Sequence, residues 1–156
     1  MRVTLSLRGD YAVRAMLALA QHERAAPERP GSDGTAPGPD GIAADPLSAG
    51  RIATRMRIPH RFVAHVLGDL ARAGLVVGST GRRGGYRLAR PATEIDLLGI
   101  VDAAEPEDPS PRCVLRGIPC DPAGRCAAHD AFSGATAALR AELARATLDG
   151  LVDGGG

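Results

Sequence analysis

At 156 residues and 44% apolar content, the chain can bury the core of one domain and is short for two. Three cysteines, no secretory leader pattern and no apolar run of the ~18 residues that span a membrane argue against a disulfide scaffold or a membrane protein, and predict a cytoplasmic one. The formal charge of +1 hides a division: residues 51–90 carry nine Arg against the single acid Asp69, a +8 block of the kind that binds polyanions, whereas 1–50 carry −1 and 91–156 carry −6.

Val3, Leu5 and Leu7 alternate with polar residues, which predicts a short strand or extended lead-in. From Asp10 to about His22 the spacing turns helical, with Ala12, Ala15 or Met16, and Leu19 on one face and Asp10 at the N-terminal end. Residues 25–46 hold five prolines and four glycines without periodicity, and are expected to be a flexible insertion. Ser48 suits the N-cap of a helix over 49–56, with Ala49, Ile52, Ala53 and Met56 inward. Arg57-Ile58-Pro59 breaks it, and Pro59 suits the first turn of a second helix running to about Ala73. That helix turns Val63, Val66, Leu67 and Leu70 inward, and Gly74 follows as its C-cap. Leu75–Val77 and Tyr86–Leu88 then read as strands joined by the turn GSTGRRGG.

Helix, short turn, helix and an arginine-tipped hairpin make a winged helix-turn-helix, expected over 1–91, in a mostly α chain with a small β-wing. The second helix of the pair is the one that enters the major groove of double-stranded DNA. Its outward face is Arg61, Ala64, His65 and Gly68, with His60 at its start. Arg51, His60, Arg61 and His65 are the DNA-binding candidates there, and Arg82 and Arg83 of the wing loop can reach a narrow minor groove.

After Pro91 a short helix fits Leu97–Ala104, followed by a Pro- and Cys-rich loop that completes the unit 92–127. A last helix, about Ala128–Leu148, carries the stripe Ala128, Phe132, Ala135, Leu139 and Leu143. The stripe can cover its own domain or pair with its twin. Two-fold DNA readers favour the twin, so 128–150 is read as a long dimerisation helix of a homodimer, with 151–156 a disordered tail.

Cys113, Cys120 and Cys126 follow a C-x6-C-x5-C spacing, and three thiols on one loop can converge on one point. Soft thiolates select zinc, copper(I) or an iron–sulfur cluster, and the absence of C-x2-C weakens structural zinc. A fourth position remains. His129, three residues past Cys126, can fill it, with Asp10, Asp121 and Asp130 as competing oxygen donors. The plainer alternative is a set of thiols that sense oxidants directly. No Ser-His-Asp order, paired-carboxylate motif or phosphate loop is present, so neither an enzyme nor a small-molecule substrate is expected.

MRVT, RGDYAVRAMLALA, IPHRFVAHVLGDLARAGLV, GRRGGYRLARP and the three-cysteine loop ahead of a helix resemble the Rrf-two type regulators, the group containing IscR, NsrR and RirA. The resemblance covers nearly the whole chain outside 25–46. It implies a dimeric transcription regulator, a repressor, whose DNA binding is set by an iron–sulfur cluster sensing nitric oxide, redox state or iron supply. The family's cluster cysteines fall on Cys113, Cys120 and Cys126. In the IscR-like branch a histidine at the position of His129 completes a 2Fe–2S site. In some NsrR-like members an acid at the position of Asp10, from the other subunit, ligates a 4Fe–4S cluster. The chain departs from its relatives in three places: the first cysteine gap is six where five is usual, which a loop can absorb; Ala64-His65 replaces a glutamate–glutamine pair; and Thr80 stands where the wing usually has Arg before Gly, with Arg82 and Arg83 shifted later. The fold and class survive these changes, and the relatives' operator does not carry over. A cluster-free thiol- or zinc-responsive regulator is the alternative, and an iron–sulfur electron carrier would leave the +8 block without a purpose.

Overall fold

The computed structural model of the chain describes residues 5–25, 45–105, 115 and 126–154. Most of the expected insertion, 26–44, lies outside them, as do Cys113 and Cys120.

Helix α1 (Leu7–Arg24) is the hub. Its Ala12, Ala15, Met16, Ala18 and Leu19 are all buried, and the alanines keep it thin on several sides. Four helices therefore pack on it: α2 (Ala49–Met56), α3 (His60–Arg72), α4 (Leu97–Ala104) and α6 (Leu148–Gly154). Ile52, Leu67, Leu70, Ile95, Ile100 and Leu148 fill the space between them. The fold is mostly α with one two-stranded sheet, as expected.

Caps explain the boundaries. The Ser6 hydroxyl accepts the Gly9 N–H at 3.2 Å, so α1 starts at Leu7, ahead of the expected Asp10. Leu7 therefore belongs to no strand; Leu5 and Leu7 are 40% and 63% exposed, and Val3 lies outside the described residues. Helices α2 and α4 have the expected bounds, with Ser48 capping α2 and Asp96 capping α4. Pro59 is the N-cap of α3 and not its first turn. Arg57, at φ 53, is the non-glycine residue with positive φ among those described, and its left-handed conformation reverses the chain between α2 and α3. Gly74, at φ 69, ends α3 in the same way at lower cost.

Strands β1 (Val76–Ser79) and β2 (Gly85–Leu88) pair antiparallel, with Val76 opposite Leu88 and Ser79 opposite Gly85. The wing has a third rung that was not expected. Leu47 and Tyr86 exchange both backbone hydrogen bonds at 2.9 Å, which ties the wing to the chain just ahead of α2. Gly85 makes this approach possible, because a Cβ there would lie 2.7 Å from the Leu47 carbonyl. Glu23 of α1 adds a further tie by accepting the Leu88 N–H at 2.9 Å.

Burial pushes the Glu23 carboxyl above its usual range, while the Leu88 N–H and the Arg87 charge pull it back. The folded state thus holds this proton more tightly than the unfolded chain does, and the penalty is fully present once the pH exceeds the raised value. Glu23→Gln keeps the acceptor and removes the charge. It should raise the Tm at neutral pH, and the gain should shrink as the pH falls through the raised value toward the ordinary 4.5; thermal melts across that range check it.

The C-terminal region departs most from expectation. The single helix expected over 128–148 is two, α5 (His129–Arg145) and α6, and 151–154 lie in α6 and not in a tail. Ala146 is extended, and its carbonyl accepts the Leu97 N–H at 2.8 Å. Thr147 then bridges to Asp96, and the Leu148 N–H donates to the Ile95 carbonyl at 2.7 Å. The chain is turned back so that Leu148 enters the core. Helix α5 stands apart: it contacts α4, where Arg140 makes two hydrogen bonds to Asp102 at 3.0 and 2.8 Å, and none of its residues is buried.

Candidate functional site

The helix-turn-helix divides its side chains cleanly. On α3, Val63, Val66, Leu67 and Leu70 are buried, while His60, Arg61, Ala64 and His65 are exposed. The Arg61 guanidinium lies 4.8 Å from the centre of the Phe62 ring, which steadies a long side chain without neutralising it. On α2, Arg51 is exposed, and it lines one open cleft together with Ser48, Gly50, Thr54, Arg55 and His60. That cleft joins the N-terminal ends of both helices of the motif, where backbone N–H groups and arginines together suit phosphate oxygens. Arg82 and Arg83 are exposed in the loop between β1 and β2. Of the nine arginines in 51–90, only Arg87 is not exposed, so the +8 block is a surface.

The lone acid of that block is not on this surface. Asp69 is 5% exposed, and its carboxylate is held between Arg8 of α1 and Arg72 of α3. The Arg8 Nε donates to Asp69 Oδ2 at 2.8 Å. Sequence reading missed this pair; an acid standing alone in a basic block, beside the inward positions 66, 67 and 70, was the available signal. Asp69 thus spends its charge on Arg8 of α1 as well as on Arg72, and the acid itself is withdrawn from the exposed basic surface.

The proposed ligands are only partly brought together. Cys126 is half-buried just ahead of α5, and its carbonyl accepts the His129 N–H at 3.0 Å, so the two residues share one turn. Asp10 is on α1, where its carboxylate pairs with Arg14, Nη2 to Oδ2 at 2.8 Å and Nε to Oδ1 at 3.0 Å. Among the described residues no three His, Cys, Asp or Glu side chains form a metal-binding group, so Asp10 does not join Cys126 and His129 in one set within the chain. Cys113 and Cys120 lie outside the described residues. No helix among the described residues is long and apolar enough to cross a membrane.

The family model "Rrf2: Iron-dependent Transcriptional regulator" matches residues 42–154. A Neisseria meningitidis protein that bears the name of an HTH-type transcriptional regulator, NMA1593, is 30% identical over 149 residues, covering 96% of this chain and 87% of its own. The transcriptional regulator IscR of Pectobacterium atrosepticum is 28% identical over 149 residues, 96% of this chain and 79% of its own. Among solved structures, T. potens IscR has a TM-score of 0.69 at 23% identity, over 99% of this chain and 89% of its own. CymR of B. subtilis, described as the global cysteine regulator, has a TM-score of 0.68 at 23% identity, over 97% and 98%.

Proposed function

Because the chain belongs to the Rrf2 family of transcriptional regulators, a group of DNA-binding proteins and not of enzymes, we propose that it is a homodimeric, sequence-specific repressor whose hold on DNA is set by an iron–sulfur cluster. The observation that carries the DNA-binding half is the exposed basic face on the helix-turn-helix and wing, with α3 anchored behind it by four buried aliphatic side chains.

In this reading α3 lies in the major groove, where His60, Arg61 and His65 meet base edges and phosphates. Arg51 holds the backbone beside the start of α2, and Arg82 and Arg83 enter the adjacent minor groove. A second copy joins through α5, whose Phe132 and Leu139 are 39% and 38% exposed in the single chain. Two copies of α3 then stand at a fixed separation, and it must match one turn of DNA, about 34 Å, or a multiple of it.

Cys113, Cys120 and Cys126 would hold the cluster, 2Fe–2S or 4Fe–4S, with His129 or a second subunit's Asp10 in the remaining position. Bound there, it would supply reactivity toward nitric oxide, oxidants or iron shortage. What supports this is the donor chemistry: three thiols in fourteen residues, the last of them in one turn with an imidazole. The chain's own part is to carry its thiols on the segment between α4 and α5, so that a change there reaches both the winged domain and the dimer helix.

The test is selection of duplexes from a random-sequence pool by the purified protein, alongside its mass in solution. A dimer that enriches an inverted repeat, with half-sites about 10 base pairs apart or a multiple of that, is expected. Failure to enrich any sequence from holo or apo protein would overturn the reading.

A further inference from the structure

Two polar ties meet on the first turn of α1, and neither contributes to the DNA face or to the proposed ligands. On one side is Glu105, the residue at which the chain leaves α4 for the cysteine segment. Its Oε1 accepts the Ser6 N–H at 2.9 Å. It also rests against Gly9 so closely that a Cβ there would lie 2.1 Å from the same oxygen. On the other side Arg8, between Ser6 and Gly9, holds the buried Asp69 of α3 through Nε at 2.8 Å and through Nη2. Apolar packing fills this level only in part, where the Tyr11 and Phe62 rings meet with their centres 5.8 Å apart. A cleft of about 310 Å3 separates the start of α1 from α3, lined by Leu7, Arg8, Tyr11, Phe62, His65 and Val66. The Arg8–Asp69 pair bridges the two helices where the cleft leaves them apart.

We propose that Arg8, Asp69 and Glu105 are positioning residues for the recognition helix: Glu105 sets the first turn of α1, and that turn, through Arg8, sets where α3 lies. The inference deepens the proposed reading, since it names how a change in the cysteine segment reaches the DNA-binding helix. A buried carboxylate held from two helices, by Arg8 of α1 and Arg72 of α3, is a stiff linkage, because letting go of Arg8 leaves the charge with half of its partners and away from water. Glu105 touches α1 at Ser6 and Gly9, and α4 also packs on α3 directly, so the part of its effect on α3 that runs through this turn is the part that is lost with Arg8 as well.

Hydrogen exchange on the cluster-free full chain tests this without an operator. In Glu105→Ala, amides of α3 should exchange at least roughly threefold faster while those of α2 stay unchanged, and Asp69→Asn should reproduce the pattern. Glu105→Gln keeps an acceptor for the Ser6 N–H and should restore most of the protection. In DNA titrations the double variant Arg8→Ala/Glu105→Ala should bind no more than about twofold more weakly than the worse single variant, as expected for one shared path. Unchanged α3 exchange in Glu105→Ala, an equal rise in α2 and α3, or additive losses in the double variant would each overturn the proposal. If the wild type binds no DNA, the regulator reading fails by itself, and the exchange data still decide this one.

Discussion

Leu148→Ala is expected to cost about 2–5 kcal/mol of folding stability, a large share of the roughly 5–15 kcal/mol that holds a domain of this size. The residue is eight positions from residue 156, and a substitution on the surface there would fall within about 0.5 kcal/mol. It differs because it is 0% exposed and belongs to the same core cluster as Met16, Leu19, Ile95 and Ile100. Its backbone is held as firmly: the Leu148 N–H donates to Ile95, and Leu97 in turn donates to Ala146. These bonds keep the neighbours from closing over the space that truncation leaves, so the upper half of the range is expected. Urea denaturation of the two proteins measures the difference. A change below about 0.5 kcal/mol would mean that α6 is not part of the folded unit.

The second large effect concerns the wing. Arg82→Ala/Arg83→Ala should lower the slope of log K against log salt by about two units for each bound subunit, and weaken binding by about 30-fold per subunit near 0.15 M salt. Both side chains are exposed in the β1–β2 loop, and the wing behind them is braced by Leu47 and Glu23, so the substitution removes charge without unfolding the hairpin. Because the wing arginines meet phosphates and groove shape and no base edges, the loss should be more even across DNA sequences than that of a base contact. Arg61→Ala offers the contrast: its loss should fall more heavily on the preferred sequence than on random DNA. Anisotropy titrations at several salt concentrations separate the two. An unchanged slope in the wing variant would remove Arg82 and Arg83 from the interface.

How much of this was legible in the sequence depends on how local the cause is. The bounds of α2 and α4 follow from Ser48 and Asp96, caps that act within three residues. The inward face of α3 follows from its 3.6-residue period, and the exposed arginines follow from what that period leaves over. The third rung at Leu47–Tyr86, the Arg8–Asp69 pair and the turn at Ala146–Thr147 each join segments distant in the chain. No window of sequence contains both partners, and Thr147 by itself gives no reason to end a helix there. The cysteines are a mixed case: their spacing announces a shared chemistry, but whether His129 or Asp10 joins them depends on tertiary and subunit contacts that spacing does not hold.

The cluster is the centre of the account, and one measurement bears on it most directly: the visible absorption spectrum of anaerobically purified protein with iron and acid-labile sulfide assays. Iron and sulfide should be present together with the absorption of a bound cluster, and Cys113→Ser, Cys120→Ser or Cys126→Ser should each abolish them. Loss of a 2Fe–2S spectrum in His129→Ala would name the histidine as the fourth ligand, and loss of a 4Fe–4S spectrum in Asp10→Ala would name the aspartate. Wild-type protein without iron or sulfide would contradict the account, leaving a DNA-binding regulator that answers to its thiols or to zinc.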